Sequence, residues 1–169
     1  MARLGFSSGS RKIVVVGSAA SGKTTLVQKY VGGTPPSEYQ QTFGAELFVK
    51  NTNEGKKHSL QIWCCGGHER YRALLDQFYI EANVVLVCFD MQSLASFQEV
   101  TFWYNEAKRT VPDASVILVG TKADDLDSSI VKIQDAMKVS KDWGIDFRTV
   151  SAKTNANVDD LFDLVITKL

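Results

Sequence analysis

Long apolar runs are missing from this chain of 169 residues; the longest, Val84–Phe89, is far too short to cross a bilayer. Net charge is missing too. Lys+Arg and Asp+Glu both number 19, so no overall field draws the chain to nucleic acid or anionic lipid, and a nucleic-acid partner has no support. Cysteine is scarce. Only Cys64, Cys65 and Cys88 are present, the first two adjacent and so poor partners for an ordinary disulfide, which suggests a reducing compartment. No secretory leader precedes the first apolar stretch. Ala2 stands where N-myristoylation needs glycine, and Thr167-Lys168-Leu169 has no prenylation cysteine. The expectation is a cytoplasmic chain with no membrane anchor of its own, membrane-associated only if a lipidated tail follows Leu169.

What is present is a full globular composition: 44% hydrophobic and 22% charged residues, enough for one domain with its own core. Residues 1–10, with Gly5 and Gly9 among small polar residues, read as a flexible arm, and 11–169 as a single domain. Strands are predicted at Lys12–Val16, Ala45–Lys50, Lys57–Trp63, Val84–Phe89, Val116–Val119 and Asp146–Val150. The second and third form a hairpin with its turn at Asn53–Gly55. Helices are predicted at Lys23–Tyr30, Ala95–Thr110, Ile130–Lys141 and Val158–Leu169, and Val31–Gln41, with Pro35 and Pro36, as an irregular loop. Strands alternating with helices give a doubly wound α/β fold: a mostly parallel six-stranded sheet, one antiparallel edge strand and flanking helices.

One stretch carries chemistry of its own. Gly17-Ser18-Ala19-Ala20-Ser21-Gly22-Lys23-Thr24 follows the apolar Ile13–Val16 and precedes a helical pattern, the setting a phosphate-binding loop requires. Gly17 and Gly22 lack Cβ atoms, so the backbone can curve and aim its N–H groups at a phosphate. The helix starting near Lys23 adds its positive end. Lys23 can reach the β- and γ-phosphates, and the Thr24 hydroxyl can ligate Mg²⁺. Two further segments follow strand ends and reach the same crevice: Thr121-Lys122-Ala123-Asp124 and Ser151-Ala152-Lys153. The Asp124 carboxylate matches the N1–H and amino group of guanine and mismatches adenine. The Lys122 stem can lie over the purine, and the Ala152 N–H can donate to guanine O6.

These motifs, with Thr42-Phe43-Gly44, Leu60-Gln61-Ile62-Trp63 and Gly67-His68-Glu69-Arg70, resemble those of the Ras superfamily of small GTPases, the Rab branch most closely, over Lys12–Leu169. The Rab flavour rests on Gly44-Ala45, Gln61-Ile62-Trp63, Phe78-Tyr79-Ile80-Glu81-Ala82 and Ser151-Ala152-Lys153-Thr154. The resemblance implies a GTP/GDP switch, in which the γ-phosphate and Mg²⁺ order two loops and hydrolysis releases them. It implies a nucleotide-binding set of Gly17, Ser18, Ala19, Ala20, Ser21, Gly22, Lys23, Thr24, Thr25, Pro35, Tyr39, Thr42, Gly67, Thr121, Lys122, Asp124, Ser151, Ala152 and Lys153. Thr24 and Thr42 would ligate Mg²⁺, and Gly67 would sense the γ-phosphate. Lys23, Thr42, Gly67 and His68 fill the catalytic positions. Effector and exchange proteins would read the switch loops, with Tyr39 and Trp63 among the residues they meet, and vesicle traffic is the setting.

The chain also departs from its relatives. Cys64-Cys65-Gly66 stands where the family has aspartate, threonine and alanine. The aspartate accepts from Mg²⁺-bound water; a thiol is a soft, weak acceptor. Such losses weaken metal binding about ten- to a hundred-fold, about 1.4–2.7 kcal/mol. His68 replaces the glutamine that orients the attacking water, and Pro35 replaces an aromatic over the guanine edge. The expectation is slow intrinsic hydrolysis and faster nucleotide release. The alternative is a pseudo-GTPase acting as an interaction module. A zinc site at Cys64, Cys65 and His68 lacks a second ligand pair, and an ATP-using enzyme conflicts with Asp124.

Overall fold

The computed structural model describes residues 9–32, 42–52 and 58–169. The strands are β1 (Ser10–Gly17), β2 (Ala45–Asn51), β3 (Ser59–Cys65), β4 (Val84–Asp90), β5 (Ser115–Thr121) and β6 (Asp146–Thr149). They form one six-stranded sheet in the order β2-β3-β1-β4-β5-β6. β2 pairs antiparallel with β3, and every other neighbouring pair is parallel. The expected doubly wound sheet with an antiparallel edge strand is therefore found. The helices are α1 (Lys23–Val31), α2 (Leu75–Tyr79), α3 (Leu94–Gln98), α4 (Val100–Thr110), α5 (Ile133–Trp143) and α6 (Val158–Thr167).

The pleat divides the central strands between two cores. Val14 and Val16 of β1, Val85, Val87 and Phe89 of β4, and Val116 and Leu118 of β5 face the layer of α2, α4 and α5. Their alternates Ile13, Val15, Val84, Leu86, Cys88, Ile117 and Val119 face α1 and α6. Every residue of β4 is buried, as a strand covered on both faces must be. On α6, Val158, Leu161, Phe162 and Val165 are buried, and Phe162 stacks on Tyr30 of α1 at 3.7 Å between ring centres.

Several element ends shift by one or two residues, and some differences from the sequence reading are larger. β1 begins at Ser10, which pairs with Ser59, so a residue assigned to the flexible arm belongs to the sheet. The helix expected over Ala95–Thr110 is two, α3 and α4, meeting at Glu99. The helix expected from Ile130 starts at Ile133, because Val131 instead donates its N–H to the Met91 carbonyl. The stretch after Gly67, given no element, forms a 3-10 turn over Glu69–Leu74 leading into α2. Such short pieces take their stability from packing, here through Leu75 and Tyr79, rather than from a long periodic pattern. The turn proposed at Asn53–Gly55 lies outside the described residues.

Candidate functional site

The loop between β1 and α1 leaves the sheet where the strand order reverses, with β3 on one side of β1 and β4 on the other. A Cβ at Gly17 would lie 2.2 Å from the Cys88 carbonyl oxygen, so only glycine lets the loop begin so close to β4. Gly22 sits at φ 80 at the N-cap of α1 and provides no capping side chain, so the first amides of the helix remain available to an anion. Lys23 is only 6% exposed. Its Nζ donates to the Ser18 carbonyl at 2.7 Å and the Ser21 hydroxyl at 3.3 Å. Burial lowers its pKa from the ordinary lysine value. Residues Ala19–Thr25, Gln28, Thr42, Phe43, Ala45, Glu46 and Cys65–His68 line a cavity of about 390 Å³ over this loop.

At its floor, Thr24 Oγ1 is hydrogen-bonded to Thr42 Oγ1 at 3.0 Å and to Cys64 Sγ at 3.3 Å. Residues 18 and 40 positions apart from Thr24 are thus joined at one point. Burial pushes the Cys64 thiol up from its ordinary pKa, opposed by the Thr24 hydrogen bond, so it remains a neutral thiol at neutral pH. Two hydroxyls suit a hard cation, but a neutral sulfur does not. The donor set therefore falls short of a tight Mg²⁺ site. Nor is it a zinc site: no group of three or more His, Cys, Asp or Glu side chains converges among the described residues. Cys65 turns to the opposite face of β3 and packs in the core.

The segment after β3 lies against both loops. Gly66 donates its N–H to the Gly44 carbonyl at 2.7 Å, and a Cβ there would be 2.6 Å from the Thr42 carbonyl oxygen. Gly67 abuts the phosphate loop itself. His68 is spent on local structure: its Nδ1 accepts from the Arg70 N–H at 3.2 Å and caps the 3-10 turn. A neutral ring accepting at Nδ1 carries its proton on Nε2 and can only donate from there.

The second cavity, of about 230 Å³, shares Gly22 and Thr25 with the first. Leu26, Thr121, Lys122, Asp124, Val150, Ala152 and Lys153 complete it. It is stitched to the phosphate loop: Thr121 Oγ1 donates to the Ser21 carbonyl at 2.6 Å, and Lys122 Nζ to the Ala20 carbonyl at 2.9 Å. Lys122 Nζ also pairs with the Asp90 carboxylate at 2.8 Å, which holds the side chain along the cavity wall. Asp124 is oriented by the Ser151 hydroxyl, which donates to its Oδ1.

Most of the anticipated residues therefore meet. Gly17, Ser18 and Ser151 lie behind the walls rather than on them, and Pro35 and Tyr39 lie outside the described residues. Sequence reasoning missed Gln28 and Glu46 on the wall, Asp90 behind Lys122, and Glu99. The Glu99 carboxylate accepts from Ser18 Oγ at 2.5 Å and pairs with Arg72 at 3.2 Å, while the Arg72 guanidinium lies 4.3 Å from the Phe102 ring centre. No local pattern signals such a link, since Ser18 and Glu99 are 81 residues apart. Asp90 alone had a signal, an acid at the carboxyl end of an apolar strand.

Residues 12–169 match the Ras family. This chain belongs to that family. Its Rab-like character is shown by relatives: it is 34% identical over 161 residues to Ras-related protein Rab-26 of Bos taurus, covering 94% of this chain and 63% of the relative. It is 35% identical to Ras-related protein Rab-42 of Homo sapiens, covering 90% of this chain and 74% of the relative. With GTP-binding protein Rab-3D of Rattus norvegicus the identity is 32%, covering 92% and 72% respectively. The chain thus spans 63% of the length of Rab-26. Membership of this family implies guanine-nucleotide binding.

Proposed function

We propose that this protein is a Rab-like GTP/GDP switch in vesicle traffic whose intrinsic GTP hydrolysis is impaired. The observation that supports this reading is that the two cavities are neighbours sharing Gly22 and Thr25, so a ligand with its polyphosphate over Lys23 would have its base beside Asp124. Lys23 and the α1 amides bind the phosphates, the Lys122 stem and Ala152 flank the base, and Asp124 selects guanine. Thr24 and Thr42 are the hydroxyls that would hold Mg²⁺. The metal would neutralise phosphate charge when bound. The exposed Phe43, 73% accessible, and half-buried Trp63 beside Phe78 support effector binding across β2, β3 and α2.

His68 supports the impairment. Glutamine can accept a hydrogen bond from water and donate another; His68, with Nδ1 occupied by Arg70, has no acceptor left. While the Arg70 N–H occupies Nδ1, the ring offers the attacking water no acceptor. A single-turnover assay with radiolabelled GTP tests this: His68→Gln should hydrolyse GTP faster than the unaltered chain. Equal rates would refute the role assigned to His68.

The thiol at Cys64 favours a second reading, a nucleotide-bound interaction module that does not turn over. Chromatography of nucleotide released by denaturation separates the two. Bound GTP recovered unhydrolysed after incubation supports the module, and GDP supports the slow enzyme. Preferential binding of ATP over GTP would end both.

A further inference from the structure

Charge at the floor of the phosphate cavity differs from what a metal-dependent site needs. Lys23 contributes a buried positive charge and has no carboxylate partner among the described residues; its two bonds go to a carbonyl and a hydroxyl. The Cys64 thiol, fully buried and bonded to Thr24 at 3.3 Å, is the side chain that touches the hydroxyl proposed to hold the metal, and it brings no carboxylate there. Among the described residues, Glu46 is the one carboxylate on the cavity wall, and it is exposed. A carboxylate at position 64 would do two opposed things. It would anchor Mg²⁺ through bound water, and it would repel the polyphosphate whenever the metal was absent. Its replacement by a thiol removes both effects together.

We propose that nucleotide retention in this protein is largely uncoupled from Mg²⁺, with Cys64 as the residue that sets the uncoupling. The inference rests on the guanine-nucleotide reading above and goes beyond it. Linkage makes the coupling reciprocal: a metal that gains little from the nucleotide-bound site returns little to nucleotide affinity. Lys23 and the α1 amides then carry the phosphates by themselves.

The experiment follows release of a fluorescent guanosine diphosphate analogue from the whole chain, in Mg²⁺ and in EDTA, for the unaltered protein and for Cys64→Asp. Removing Mg²⁺ should speed release less than about tenfold in the unaltered protein, and about ten- to a hundred-fold more strongly in Cys64→Asp. The variant should also release faster than the unaltered protein in EDTA, from restored repulsion. An equal or larger EDTA effect in the unaltered protein would overturn the proposal. If Cys64→Asp fails to fold by circular dichroism, the unaltered protein still decides, because a large Mg²⁺ effect there contradicts the uncoupling. Failure of the underlying reading looks different: the analogue does not bind either protein in either buffer, and both claims fall.

Discussion

Gly67→Ala is the sharpest test of the arrangement around the phosphate loop. An added methyl carbon would lie 2.3 Å from the Gly17 carbonyl oxygen, 2.4 Å from the Ala19 nitrogen and 2.4 Å from the Ser18 carbonyl carbon. Carbon contacts are comfortable at about 3.5–4.0 Å, so one backbone must retreat by more than about 1 Å. All three contacted atoms are main chain, so no side chain can swing away to make room. Overpacking of this kind costs about 1–3 kcal/mol. For a domain of this size each kcal/mol lowers Tm by about 2–4 °C, which gives a fall of roughly 2–12 °C. The displaced segment also roofs the phosphate cavity, so nucleotide release should accelerate. Gly144→Ala is the control. That glycine is at φ +66 with nothing within 4 Å of its added Cβ, and it lies outside both cavities. The control pays only the left-handed penalty of about 1–2 kcal/mol and should leave release unchanged. Differential scanning calorimetry and fluorescent-nucleotide release read the two effects. A Gly67→Ala protein with unaltered Tm and unaltered release would show that this segment does not rest on the phosphate loop.

Two further substitutions separate binding from folding. Lys23→Met removes a buried ammonium that has only two hydrogen bonds to offset its desolvation, so stability to denaturant should hold or rise; GDP affinity should fall about ten- to two-hundred-fold, from about 1.5–3 kcal/mol of lost charged hydrogen bonding, and unchanged affinity by fluorescence titration would contradict the phosphate role. Asp124→Asn keeps an acceptor for the Ser151 hydroxyl but presents an amide to the base. GDP should bind about 1–3 kcal/mol more weakly with little change in Tm, and a competition assay in which GTP keeps its full advantage over ATP would refute selection by Asp124.

Strand periodicity and the apolar runs determined the layered sheet, because a strand buried on both faces has no polar positions to offer and β4 has almost none. The glycine-framed loop, Lys23, Thr24 and Asp124 were equally legible. Their chemistry depends on residue type and local backbone, and both are written in short stretches of chain. Folding decided what depends on distance through space. It brought Thr42 and Cys64 onto Thr24, tied Lys122 to Asp90, and set Glu99 between Ser18 and Arg72. It turned His68 into a helix cap by bonding its ring to Arg70, two residues on, a rotamer choice that sequence spacing does not reveal. The split of one expected helix into α3 and α4 belongs to the same class: the apolar face reads through Glu99 without interruption, while the carboxylate at the break is held by partners from distant loops. Short-range pattern therefore specifies which groups this protein carries, and only the packing of remote segments specifies which of them touch.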